Sequence, residues 1–116
     1  METTFQIAEQ IGARGFYARV SITCKYSLKS NLIVSYGSAF TKWKYSIEFA
    51  CDYIFNHIKG SRGLEINIID IEDNPVDTSS IVVVFALIKA IESHLDLQRS
   101  SLVEFDKING VFKFMK

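Results

Sequence analysis

The chain has 116 residues, a usual size for one domain and short for two. Hydrophobic residues make up 48% and aromatics 13%, with six glycines and one proline, which excludes a disordered, repetitive or linker-like chain. Thirteen basic and thirteen acidic residues cancel, so overall charge does not select nucleic acid, although a local basic patch stays compatible with neutrality.

The N-terminal METTFQIAEQ has neither a basic start nor an apolar core, so no signal peptide is expected. The longest apolar run, Ile81 to Ile88, falls well short of the ~20 residues that a membrane span needs. A cytoplasmic location with no membrane partner is the expectation. Cys24 and Cys51 form neither a metal motif nor a CxxC pair, and read as buried free thiols.

In chain order, Thr3 to Ile11 reads as a short edge strand. Phe16 to Tyr26 alternates: Phe16, Ala18, Val20, Ile22 and Cys24 share one face, and Tyr17, Arg19, Ser21, Thr23 and Lys25 share the other. That is a strand with one buried face. Leu32 to Tyr36 reads as a strand paired back after a turn at Lys29, Ser30 and Asn31. Trp43 to Lys59 is the clearest helix, with Trp43, Ile47, Ala50, Cys51, Ile54 and Ile58 in one stripe and Gly60 as its stop. Leu64 to Glu72 is a strand whose Ile69 and Ile71 break the alternation, which predicts a bulge or burial on both sides.

Ile81 to Leu95 holds a β-branched run, IVVVF, that suits a strand by propensity. The stripe Ile81, Val84, Phe85, Ile88, Ile91 and Leu95 has helical spacing and is too long for a strand, so the segment is expected to be a helix buried on most sides, capped by Thr78 or Ser79. Two tail strands, Leu102 to Ile108 and Val111 to Met115, flank an Asn109-Gly110 hairpin signal. Together these elements predict an α+β domain: one mixed sheet of four to five strands, covered on one face by two helices.

Two loops stand out. Gly12-Ala13-Arg14-Gly15-Phe16-Tyr17 runs into the first long strand, and Asp73-Asn74-Pro75-Val76-Asp77-Thr78-Ser79-Ser80 runs from strand to helix. Each has a plain structural reading, as a glycine turn and as an Asn-Pro turn with a helix cap. Neither is GxGxxG or GxxxxGK[ST], so no nucleotide phosphate cradle is indicated. No serine, cysteine or carboxylate pair has catalytic spacing, and His57 and His94 read as solvated helix residues. No enzyme activity, cofactor or metal is expected.

In their order, the two loops resemble domain IV of translation elongation factor G. ARGFYARVSI is similar to that domain's Gly-Arg-Gly-Gln-Tyr-Gly-His-Val segment. NPVDTSS is similar to its His-Asp-Val-Asp-Ser-Ser loop and to the Ser-Pro-Val-Ser-Thr loop of the related ribosome-protection proteins. The resemblance covers about residues 10 to 95. It implies a ribosomal protein S5 domain 2-like fold with a left-handed βαβ crossover, and a transfer-RNA-mimicking tip without GTPase activity. Arg14, Gly15 and Tyr17 match the first loop; Val76, Asp77 and Ser79 match the second, with Thr78 a conservative replacement. Phe16 stands where the family has glutamine, Ala13 where it has glycine, Asn74 near its tip histidine, and Pro75 in place of its aspartate.

The implied RNA- or ribosome-binding tip is therefore Arg14, Gly15, Phe16, Tyr17, Asn74, Pro75, Val76, Asp77, Thr78 and Ser79. The implied partner is the small ribosomal subunit or structured RNA. On this reading Arg14 meets a phosphate, and Phe16 or Tyr17 stacks on a base. The alternative is a protein-interaction or structural module that kept the fold without ribosome binding, with Phe16 as the anchor for a protein partner.

Overall fold

The computed structural model describes residues 2–58, 62–97 and 102–115. In chain order these form β1 (Thr3–Ile11), β2 (Arg14–Ser27), β3 (Leu32–Tyr36), a 3-10 turn (Ser38–Trp43), α1 (Lys44–His57), β4 (Gly63–Glu72), α2 (Ser80–His94), β5 (Val103–Asp106) and β6 (Val111–Phe114). The expected end of the first helix at Lys59 and its Gly60 stop lie outside the described residues.

β1 to β4 make one mixed sheet in the order β1-β2-β4-β3. The inward parity of β2 buries Phe16, Ala18, Val20, Ile22 and Cys24, as the alternation predicts. Two expectations are corrected. β1 is a full nine-residue edge strand, paired with β2 from Thr3↔Ile22 to Ile11↔Arg14. β3 does not fold back onto β2: it runs parallel to β4, which lies between them. β2 has both edges occupied, by β1 and β4, and a parallel neighbour needs a crossover of the kind that α1 supplies between β3 and β4.

The broken alternation in β4 is a bulge. Ile22 pairs with Ile68 and Ser21 with Asp70, which leaves Ile69 as the extra residue. It is turned outward, and Ile71 returns to the core face. One inserted residue thus returns Ile71 to the core, where a regular strand would have sent it to the solvent side.

α1 and α2 cover the inner face. α1 buries Ile47, Ala50, Cys51 and Ile54, with Trp43 and Ile58 packed at the margin. α2 is helical through its β-branched run, and every residue from Val82 to Ile88 is buried. A helix apolar on all sides needs neighbours all round. The sheet takes one side of α2, and α1 lies alongside. The tail hairpin takes a third side.

That hairpin, β5-β6, forms a sheet of its own rather than extending the main one. Phe105 and Phe112 pack on Phe85 of α2, and Phe114 packs on Phe49 and Tyr53 of α1. The Tyr53 hydroxyl stands between the carbonyls of Leu102 (2.9 Å) and Met115. The buried Glu92 carboxylate accepts the Leu102 N–H at 2.8 Å and pairs with Lys89 at 3.7 Å. The hairpin turn spans four residues, 107–110, rather than the two suggested by Asn109-Gly110, and Gly110 alone takes positive φ there (+65°).

Both cysteines are free and buried. Burial pushes the Cys24 thiol up to about 11, and burial with Asp52 and Cys24 nearby pushes Cys51 up to about 12. A thiol held above its unfolded value keeps its proton in the folded chain. Its contribution to stability is complete below roughly pH 8.5 and is lost as pH rises toward the folded values. Maleimide at neutral pH should therefore label neither thiol in the native protein and both in denaturant, and unfolding free energy should fall as pH rises from roughly 8.5 toward the folded values of about 11 and about 12. Rapid native labelling at neutral pH would contradict this packing.

Candidate functional site: a composite loop tip

Topology places several loops at one end. β2 starts and β4 finishes there, since the two are antiparallel with Arg19 opposite Glu72. β3 is parallel to β4 and finishes at the same end, so α1 and α2 both begin there. Residues Arg14 to Ala18 of β2 run beyond the last β4 pairing, and the 73–79 loop lies beside them.

The two loops singled out in the sequence meet. The Tyr17 N–H donates to the Asp77 carbonyl at 3.1 Å, and the Thr78 hydroxyl donates to the Tyr17 carbonyl. Gly15 faces the Asp77 side chain so closely that a Cβ there would lie 2.4 Å from a carboxylate oxygen. A side chain at this position would have to push the Asp77 carboxylate, the movable end of its side chain, aside. The 73–79 loop is braced from within. Asn74 Oδ1 accepts the N–H groups of Val76 (2.9 Å) and Asp77 (3.3 Å), and the Asn74 N–H donates to Thr78 Oγ1 at 2.8 Å. This is the Asn-Pro turn expected from the sequence, an Asn side chain mimicking a backbone turn. It leaves Pro75 exposed and lifts Val76, 89% exposed, to the apex.

Three expected roles are corrected. Phe16 is 5% exposed and cannot stack on a base or anchor a partner. It belongs to the inward parity of β2, and its ring meets Phe105 at 5.0 Å and Phe112 at 5.9 Å. Thr78 and Ser79 do not cap α2 through their side chains: Thr78 is spent on β2 and Asn74, and Ser79 sits at the N-cap position without a side-chain bond. His57 and His94 are half-buried and bonded rather than solvated. His57 Nδ1 lies 2.7 Å from the Tyr53 carbonyl, and His94 Nδ1 lies 2.8 Å from the Thr3 hydroxyl.

A third loop, not singled out from the sequence, joins the tip. Gly110 of the β5-β6 turn is so close that a Cβ there would lie 3.4 Å from the Phe16 ring and 3.5 Å from Arg14 Nη1. Lys107 pairs with Glu9 at 3.6 Å. The visible signal was the Asn-Gly turn; its location depended on how the hairpin packs.

The electrostatics are mixed. Arg14 is exposed, makes no ion pair among the described residues, and holds its guanidinium 5.1 Å from the Phe16 ring centre. Glu72 accepts the Tyr17 hydroxyl at 2.5 Å and lies 3.9 Å from Arg19, and the Glu72 hydrogen bond raises the Tyr17 phenol above its ordinary value. Asp73 pairs with Lys42 at 2.6 Å. The carboxylates that would repel phosphates are thus largely engaged, while several of the nearby cations are engaged with them. Among the described residues no cluster of histidine, cysteine and carboxylate side chains is placed to hold a metal.

The class defined so far is a two-layer α+β domain with a hairpin against its helices and a three-loop tip at one end. The sequence matches no protein-family model and no curated protein. Among solved structures it is similar to a crystal structure of a protein from Thermus thermophilus, with a TM-score of 0.63 and 15% identity over 79% of this chain. The chain spans 15% of that protein's length. The likeness is one of fold.

The Gly15–Asp77 contact is testable by a double-mutant cycle. Gly15→Ala should destabilise by about 1 kcal/mol or less, the added methyl displacing the Asp77 carboxylate, and by less still in an Asp77→Ala background. Denaturant unfolding of the four proteins measures the coupling, and strict additivity would remove the contact.

Proposed function

We propose that the chain is a non-catalytic ribosome- or RNA-binding module resembling domain IV of elongation factor G, working through its composite tip. The observation that supports this most is the joining of residues 14–17 to residues 73–79 through Tyr17, Asp77 and Thr78. These are the two segments that carry the resemblance. On this reading Arg14 supplies the phosphate contact. Its guanidinium is exposed and lies over the buried Phe16, a weakly hydrated cation already held at the surface. Phe16 is a platform under Arg14 instead of a base-stacking residue. Asp77 and Thr78 shape the tip by pinning it to β2.

The second reading, a protein-interaction module, is favoured by a different observation. Val76 and Ile108, exposed by 89% and 88%, stand at two loop apices of the tip. Solvated aliphatic side chains on ordered turns also suit a protein partner.

The readings differ in salt response. Co-sedimentation with small ribosomal subunits should be present at low salt and weaken steeply toward physiological salt. Arg14→Ala should weaken it at every salt and lower the slope of log K against log salt by about one. No association of wild type at low salt would replace the RNA reading with the protein-interaction one.

A further inference from the structure

The β5-β6 hairpin lies beyond the segment that carries the resemblance, yet its turn is built into the tip. Its internal bracing is dense. Asp106 Oδ1 accepts the N–H groups of Ile108 (2.9 Å) and Asn109 (3.2 Å), Oδ2 accepts the Asn109 side-chain amide (2.9 Å), and the Asp106 carbonyl accepts the Gly110 N–H (2.8 Å). The Asn109 side-chain bond, with the two backbone donors, holds the Asp106 carboxyl below its ordinary range. The turn is clamped to β2 as well. Phe105 and Phe112 enclose Phe16, a Cβ added at Gly110 would lie in ordinary contact with Arg14 Nη1 at 3.5 Å, and Lys107 reaches Glu9 of β1. The backbone that carries Lys107 and Ile108 is therefore held beside that of Arg14, while the three side chains stay exposed.

We propose that residues Lys107 to Gly110 are a third RNA-contacting loop of the tip, with Lys107 meeting a phosphate beside the one bound by Arg14 and Ile108 packing on an exposed base or ribose. The proposal rests on the RNA reading above. Lys107 is 70% exposed on its side chain and only loosely paired, so its ammonium is free to take a second anion. Asp106, the neighbour of Lys107 in sequence, is consumed by the turn's own donors and by Lys113 at 3.7 Å, which limits its repulsion of a phosphate. Lysine is depleted at protein interfaces, and a lone aliphatic side chain is rarely a protein hot spot. A cation next to an exposed apolar group on a preorganised turn, with Arg14 of β2 near the same turn at Gly110, better suits a surface where phosphates alternate with bases and sugars.

The test is binding of purified small ribosomal subunits across a salt series by wild type, Arg14→Ala, Lys107→Ala and Ile108→Ser, each checked for an unchanged melting temperature. Lys107→Ala should lower the salt slope by about one. Ile108→Ser should weaken binding roughly five- to tenfold with the slope unchanged. If Arg14→Ala weakens binding while both hairpin variants match wild type, the third loop is refuted and the RNA reading stands. If wild type does not bind at low salt, the RNA reading falls and this proposal falls with it. If binding is insensitive to salt yet lost in Ile108→Ser, the turn docks a protein surface and the RNA assignment is overturned.

Discussion

The structure depends on α2. From Val82 to Ile88 no side chain of this helix faces water, so one covering layer is not enough. The sheet covers one side and α1 another, and the circumference closes only when β5-β6 folds over the remainder. The buried Glu92 fits this constraint. It sits in the otherwise apolar helix and has its charge offset by Lys89 and its oxygen satisfied by the Leu102 N–H, where the hairpin begins. A buried carboxylate without such partners would cost several kcal/mol, so the contact specifies where the hairpin enters.

Closing α2 in this way has a consequence at the far end of the domain. The aromatic side chains that cover α2, Phe105 and Phe112, also receive Phe16 from β2. The hairpin turn is thereby brought beside Arg14. The tip is then an outgrowth of the core: Phe16 is its root, Arg14 lies over that root, and the three loops are braced by their own backbone donors. Such a surface loses little conformational entropy on meeting a partner, which favours affinity without large area.

The bracing also separates residues that shape from residues that present. Gly15, Phe16, Asp77 and Thr78 hold the loops together. Arg14, Val76, Lys107 and Ile108 face outward. Paired carboxylates and cations keep the net field small, while Arg14, without an ion pair among the described residues, supplies a local one.

Much of this was legible in the sequence. Period-two alternation marked β2 and put Phe16 on its inward face, and the three- and four-residue stripe outweighed the β-branched propensity of Ile81 to Phe85. The displaced isoleucines at positions 69 and 71 left a bulge or burial on both sides as the choices, of which the structure takes the bulge, and Asn74-Pro75 announced the turn. These are local signals, set by backbone geometry and by which side chains avoid water. Three things were decided only by the tertiary structure. β3 lies beside β4 because strand order is a matter of free edges and crossover length, which no local pattern records. Thr78 donates to β2 and accepts the Asn74 N–H instead of accepting an α2 N–H, because its hydroxyl has competing partners and only packing ranks them. The hairpin turn reaches the tip because α2 needs a third covering side, a demand that arises only once the sheet and α1 have left that side bare.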